Sequence, residues 1–150
     1  MELLLVSIRT RRLPATTPEA EIIGRYTERI QRFLPCTTRT FETEGAMLAE
    51  MERTGKRTAP FLILADSRGK LLSSEELAAK LGSVLDSGTQ QVILAIGPAD
   101  GWSPAATGRA GLLLSFGRIT LPHELAAVVA AEQVYRALTI RAGHPYHSGH

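Results

Sequence analysis

Gln91-Val92-Ile93-Leu94-Ala95-Ile96-Gly97-Pro98-Ala99-Asp100-Gly101 is the stretch that decides the fold class. After Gln91 it is an unbroken apolar run of strand length, which suits a strand covered on both faces of a sheet. It passes directly into a loop bounded by Gly97 and Gly101. In open α/β sheets, ligands bind where loops leave the carboxyl ends of strands. The two glycines allow left-handed torsions and a close approach of a ligand to backbone amides, whereas Pro98 removes one amide donor. The loop therefore reads either as a ligand contact or as a tight connection, and it is neither a Walker A loop nor a GxGxxG fingerprint.

The segments on either side repeat the pattern. Upstream, Pro60 to Ala65 reads as a buried strand closed by the turn Asp66-Ser67-Arg68-Gly69. Ser73 and Glu76 then form a capping box for a helix with Leu77, Leu81 and Leu85 on one face and Gly88 at its end. Glu2 to Ile8 reads as a strand, and Pro14 and Pro18 mark a loop. Glu19 to about Phe33 is an amphipathic helix with Ile22, Tyr26, Ile30 and Phe33 on one face and a basic stripe of Arg25, Arg29 and Arg32 on another. Thr37 to Thr43 reads as a short strand, and Glu44 to Arg53 as a helix closed by Thr54-Gly55-Lys56. Downstream, Ser103-Pro104 opens a short helix through Arg109, Leu112 to Phe116 is a strand, and Pro122 to about Ala142 is the longest helix, ended by Gly143. Strands alternating with helices imply an α/β sandwich with a mostly parallel sheet. Three strand-end loops then become the candidate ligand site: Asp66 to Lys70, Gly97 to Gly101, and Gly117 to Pro122.

The chain has 150 residues, 44% of them hydrophobic and 21% charged, which fits one compact domain rather than two. Its formal net charge of +2 is too mild to demand a polyanionic partner. The distribution is more informative: residues 1–57 hold ten basic and eight acidic side chains, 58–107 three and five, and 108–150 four and two, with all four histidines in the last segment. Cys36 is the only cysteine and cannot form a disulfide within the chain, so a reducing, cytoplasmic setting is expected. Leu3 to Val6 is far too short for a signal core or a membrane span, and no membrane partner is expected. No metal is expected either, because His144 and His147 lack a carboxylate or thiol partner in sequence reach. There is no G-x-S-x-G elbow and no evident base for Cys36, which argues against hydrolase chemistry.

Other features stay open on residue patterns alone. His123 reads as a surface or packing histidine. On the last helix, Val128, Ala131, Val134, Tyr135 and Leu138 form a face that suits either core or a subunit interface, and Glu132 with Arg136 has the spacing of a helical ion pair. The tail His144-Pro145-Tyr146-His147 either packs back on the domain or offers an aromatic ring to a base and imidazoles to phosphate.

Taken in order, Asp66-x-x-Gly69-Lys70 with Ser73-Ser74-Glu75, Ile96-Gly97 through Asp100-Gly101, Leu114-Ser115-Phe116 through Thr120-Leu121-Pro122-His123, Glu132-Gln133-x-Tyr135-Arg136-Ala137, and Gly143-His144-Pro145-Tyr146-His147 resemble the RlmH family of ribosomal RNA large-subunit methyltransferases. The resemblance runs along essentially the whole chain. It implies a single SPOUT methyltransferase domain over residues 1–150, with a C-terminal trefoil knot that periodicity could not reveal. It also implies a homodimer that transfers methyl from S-adenosylmethionine to N3 of a pseudouridine in 23S rRNA of the assembled ribosome. By position, the implied cofactor contacts are Ala65, Gly97, Phe116, Gly117, Arg118, Ile119, Thr120 and Leu121. Arg136, Tyr146 and His147 become candidates for assisting loss of the N3 proton, and the Arg25, Arg29 and Arg32 stripe for rRNA phosphate contact. The chain departs from the family pattern at Ala65, Pro98, Ala127 and Ser148. The alternative motivated by Pro98, Ala127 and Ser148 is a noncatalytic RNA-binding or ribosome-associated factor on the same scaffold.

Overall fold

The structure is a computed structural model that describes residues 1–53, 57–98 and 100–149. The expected helix closure at Thr54-Gly55-Lys56, the loop position Ala99 and the terminal His150 lie outside the described residues. The elements in chain order are β1 (Glu2–Ile8), α1 (Pro18–Ile30), β2 (Cys36–Phe41), α2 (Glu44–Arg53), β3 (Phe61–Leu71), α3 (Ser74–Asp86), β4 (Gln91–Ile96), α4 (Pro104–Arg109), β5 (Leu112–Ser115) and α5 (His123–Ala142). A short 3-10 turn at His147–Gly149 follows.

The five strands form one sheet in the order β2-β1-β4-β3-β5, and every pairing is parallel. Side chains alternate between the two faces of a strand, and here both faces are apolar. Leu3, Leu5, Ile63, Val92 and Leu94 pack towards α1, α3 and α5, while Leu4, Val6, Leu62, Leu64, Ile93 and Ala95 pack towards α2 and α4. All six residues of β4 are buried, as its position between β1 and β3 requires. The result is a three-layer sandwich whose strand ends β1, β3, β4 and β5 open on the same side.

Helix signals act locally and survive in the structure. The Ser73 backbone N–H donates to Glu76 Oε1 at 2.9 Å, and Glu76 N–H donates to Ser73 Oγ at 3.0 Å. Gly143 ends α5 with φ of 72°, the left-handed conformation that stops a helix with little strain in glycine.

Three elements end earlier than the sequence expectation. Helix α1 stops at Ile30 because Phe33 N–H turns back to the Ile30 carbonyl at 2.8 Å, ahead of Pro35. Strand β2 stops at Phe41 because Thr43 leaves the ladder, its Oγ1 accepting Ala46 N–H at 3.1 Å in the first turn of α2. Strand β5 stops at Ser115, one residue before Phe116.

The larger correction concerns Asp66 to Gly69. They are not a turn that closes β3 but a bulge inside it: Ala65 and Lys70 both register against Leu114 of β5. Asp66 Oδ1 accepts Arg68 N–H at 2.8 Å within the bulge. Gly69 is required by proximity, since a Cβ there would lie 2.6 Å from the Leu113 carbonyl carbon.

Candidate active site

The bulge within β3 and the loops leaving β4 and β5 meet in an open cavity of about 940 Å3. Of the residues implied as cofactor contacts, Ala65, Gly97, Phe116, Gly117, Ile119, Thr120 and Leu121 line it; Arg118 does not. Asp66 and Asp100 add carboxylates, and Arg9 at the end of β1 adds a cation.

Two side chains outside the residues named as site contacts hold these loops. Trp102, the single tryptophan, donates its indole N–H to the Ala65 carbonyl at 2.8 Å and so ties the β4 loop to the start of the β3 bulge. The same ring explains Gly97: a Cβ at that position would lie 2.6 Å from Trp102 Cε2. A lone tryptophan directly after Gly101 was the available signal. Ser115 donates its hydroxyl to the Gly117 carbonyl at 2.9 Å and accepts Gly117 N–H at 3.2 Å, fixing the turn in which Gly117 takes φ of 121°. Ser103, the N-cap of α4, is anchored in turn by Glu44, whose Oε1 accepts Ser103 N–H at 2.9 Å.

His123 opens α5 and lines the cavity. Both ring nitrogens are shut off from solvent, and neither makes a hydrogen bond, although the carbonyls of Ile8 and Ile96 lie near the ring. Burial lowers its pKa from the usual 6.5, and the neighbouring Arg9 acts in the same direction while Glu124 opposes both. Arg9 and Glu124 form an ion pair at 3.3 Å beside it.

Arg136, Tyr146 and His147 come together, but away from this cavity. Arg136 reaches Glu132 Oε1 through Nη2 at 2.6 Å and through Nε at 2.9 Å, and this carboxylate holds the guanidinium pKa above its ordinary value. Tyr146 donates its hydroxyl to the same oxygen at 3.1 Å, and burial raises its pKa. Its ring stacks edge-on against Tyr135 with centroids 4.7 Å apart and lies under the Arg136 guanidinium at 4.9 Å. His147 lies between Arg136 Nη1 at 3.0 Å and Glu75 Oε1 at 2.6 Å. The tail therefore packs back on α3 and α5. From His123 to Arg136 is about 20 Å along α5 at 1.5 Å per residue, and none of the three side chains lines the cavity.

The basic stripe of α1 is partly engaged within the fold. Arg25 pairs with Glu21 at 2.9 Å, and Arg29 lies over the Tyr26 ring at 5.2 Å. Among the described residues, no three His, Cys, Asp or Glu side chains converge, and no helix is long and apolar enough to cross a membrane.

A family model described as "Predicted SPOUT methyltransferase" matches residues 1–147. The chain is 49% identical over 129 residues to the ribosomal RNA large subunit methyltransferase H of Koribacter versatilis (strain Ellin345), covering 86% of this chain and 88% of that protein. Proteins of the same name are 40% identical over 144 residues in Rhizobium meliloti (strain 1021) and 42% identical over 144 residues in Mesorhizobium japonicum, each match covering 87% of this chain and 90% of the relative. The family-model match spans all five strands and the cavity-lining segments, and the chain belongs to the SPOUT methyltransferase family.

Proposed function

We propose that the protein is an S-adenosylmethionine-dependent methyltransferase of large-subunit ribosomal RNA that modifies N3 of a pseudouridine in 23S rRNA of the assembled ribosome. It acts as a cytoplasmic homodimer of single-domain subunits with a C-terminal trefoil knot. The observation that carries this reading is the convergence of the β3 bulge and the β4 and β5 loops on one cavity in a chain of this family.

The residues present suit the cofactor. Leu114, Phe116 and Leu121 offer apolar walls to a ring, while Asp66, Asp100 and the backbone of the glycine-bearing loops offer polar partners. When bound, S-adenosylmethionine supplies a methyl group activated by a sulfonium. The chain's part is to orient: the Trp102 tie and the Ser115 lock hold the loops before any ligand arrives, which lowers the entropic cost of alignment.

The dimer reading is supported by the distance between the cavity and the Arg136, Tyr146 and His147 cluster, and by Ile22 and Phe33 on or just after α1 and Leu125 on α5, which expose apolar surface. Across such a dimer, the cluster of one subunit serves the cavity of the other. Arg136 then stabilises charge developing on the base as the N3 proton leaves, with Tyr146 and the His147 imidazole in reach of that proton. Transfer of radiolabelled methyl to purified subunits and whole ribosomes lacking the modification, followed by identification of the base, tests this reading. Label at an N3-methylated pseudouridine of 23S rRNA in whole ribosomes is expected. Absence of S-adenosylmethionine binding by the folded protein overturns it, and binding without methyl incorporation favours the noncatalytic ribosome-associated factor, towards which Pro98 leans by withholding an amide from the cavity.

A further inference from the structure

Three unpaired arginines border the loop cavity. Arg11 and Arg12, on the loop leaving β1, and Arg118, on the loop leaving β5, are exposed, and among the described residues none of the three side chains has a hydrogen bond, an ion pair or a ring partner. Arg9 and Thr10, just before the first two, line the cavity, as do Gly117 and Ile119 on either side of Arg118. We propose that Arg11, Arg12 and Arg118 form a rim that takes the backbone phosphates flanking the target nucleotide, so that the RNA crosses the carboxyl end of the sheet and one base enters the cavity. The proposal rests on the reading of an enzyme acting on ribosomal RNA and adds to it the face that meets the RNA.

Charge is segregated between the cavity and its rim. Glu42, Asp66 and Asp100 line the cavity itself. Carboxylates there suit a cationic sulfonium and repel phosphate, whereas a pyrimidine base is neutral and can enter. The phosphates then stay outside, where the unpaired guanidiniums are. An arginine without an internal partner gives up nothing on meeting a phosphate, while one already in an ion pair must surrender it. Arg9 and Arg68, which do line the cavity, are of the second kind, held by Glu124 at 3.3 Å and by Asp66 at 3.4 Å.

The sheet order sets the rim's span. Strands β1 and β5 are separated by β4 and β3, so their ends lie about 14 Å apart at about 4.8 Å per strand. Cations therefore flank the cavity on two sides, as an RNA passing over it requires, and such phosphate contacts fix orientation without reading sequence. This gives Arg118 a role that its exposed side chain, absent from the cavity lining, does not have towards the cofactor. The α1 stripe suits the task less well: Arg25 is paired with Glu21, Arg29 lies over the Tyr26 ring, and Ile22 and Phe33 expose the apolar surface assigned above to the partner subunit.

Cosedimentation of the full protein with ribosomes lacking the modification, over a series of KCl concentrations, tests the rim without recourse to catalysis. Arg11→Gln/Arg12→Gln and Arg118→Gln are each expected to weaken binding about fivefold or more at low salt. The slope of log affinity against log salt should fall by about two in the double variant and about one in the single. Arg57 is exposed at the opposite end of the sheet, where its backbone N–H donates to the Gln90 side chain just ahead of β4. Arg57→Gln removes the same charge as Arg118→Gln and is expected to change neither affinity nor slope. In methyl transfer the rim variants should raise KM for ribosomes, with S-adenosylmethionine affinity unchanged.

Equal losses in Arg57→Gln and Arg118→Gln show a response to net charge alone and overturn the rim, as does an unchanged salt slope in Arg11→Gln/Arg12→Gln. Weaker S-adenosylmethionine binding in Arg118→Gln returns that residue to the cofactor and overturns its place in the rim. Slope differences that vanish when protein-free 23S rRNA replaces the ribosome set the arginines against ribosomal protein and overturn the phosphate assignment. Ribosome binding with the expected slopes, but without S-adenosylmethionine binding or methyl transfer by the unaltered protein, overturns the enzyme and upholds the rim.

Discussion

Arg136 Nη1 donates to His147 Nδ1 at 3.0 Å, and this one contact assigns the imidazole its tautomer. A guanidinium has no lone pair to offer, so Nδ1 is the acceptor and the ring proton sits on Nε2. Nε2–H then donates to Glu75 Oε1 at 2.6 Å, which is why the Glu75 carboxyl is held below its usual pKa. Glu132, Arg136, His147 and Glu75 form a directional chain that clamps the tail to two helices.

Removing the guanidinium with Arg136→Ala leaves the Glu132 carboxylate largely buried without its bidentate partner, whose side chain is only 12% exposed. A loss of about 2–3 kcal/mol in urea denaturation is expected, below the range for a fully buried pair. The His147 ring nitrogens are expected to change tautomer population by nitrogen resonance. Arg136→Lys keeps the charge but not the fork, so it should recover only part of the stability. An unchanged His147 spectrum in Arg136→Ala would contradict the clamp.

Gly97 is set by packing, and Gly97→Ala tests that directly. Because the new Cβ meets the Trp102 ring at 2.6 Å, the indole must move and its bond to the Ala65 carbonyl is lost. Destabilisation of about 1–3 kcal/mol is expected, with weaker S-adenosylmethionine binding. Trp102→Phe removes the indole donor together with part of the buried ring volume and should cost about 1–3 kcal/mol. Trp102 is the single tryptophan and lines the cavity, so its fluorescence should respond to the cofactor in the unaltered protein and shift without cofactor in Gly97→Ala.

These two clusters also mark how far the sequence is legible. Strand β4 and the Ser73–Glu76 capping box are readable because their causes are local: a run of apolar residues and two side chains three apart. Asp66-Ser67-Arg68-Gly69 has the composition of a turn, yet long-range pairing with β5 draws it into the ladder. The need for Gly69 lies in the backbone of Leu113, more than forty positions away. The three strand-end loops could be named as a site from the alternation of strands and helices. The separation of Arg136, Tyr146 and His147 from that cavity could not, because it depends on how far α5 runs before the tail doubles back.

Cys36 is 1% exposed, and burial pushes its thiol up to about 11. At pH 8 only about 0.1% is then thiolate, the nucleophilic form. The folded protein is expected to leave an aromatic disulfide reagent unreacted over hours and to release one equivalent of thiol at once in denaturant. Rapid reaction in the folded state would show that β2, an edge strand, opens readily.

His123 supplies a pH dependence of defined sign. Its folded pKa lies below 6.5, chiefly through burial and secondarily through Arg9, with Glu124 and the Ile96 and Ile8 carbonyls opposing them. Above 6.5 the ring is neutral in both folded and unfolded chains and contributes nothing to the slope. As pH falls below 6.5 the unfolded chain takes up a proton that the folded chain refuses, so stability declines until the lowered pKa is reached and then levels off for this group. His123→Gln keeps a polar side chain without titration and should flatten the unfolding midpoint between pH 6.5 and 5 relative to the unaltered protein. Equal slopes in the two proteins would show that His123 charges as easily inside the fold as outside it, which its enclosed nitrogens and its neighbour Arg9 argue against.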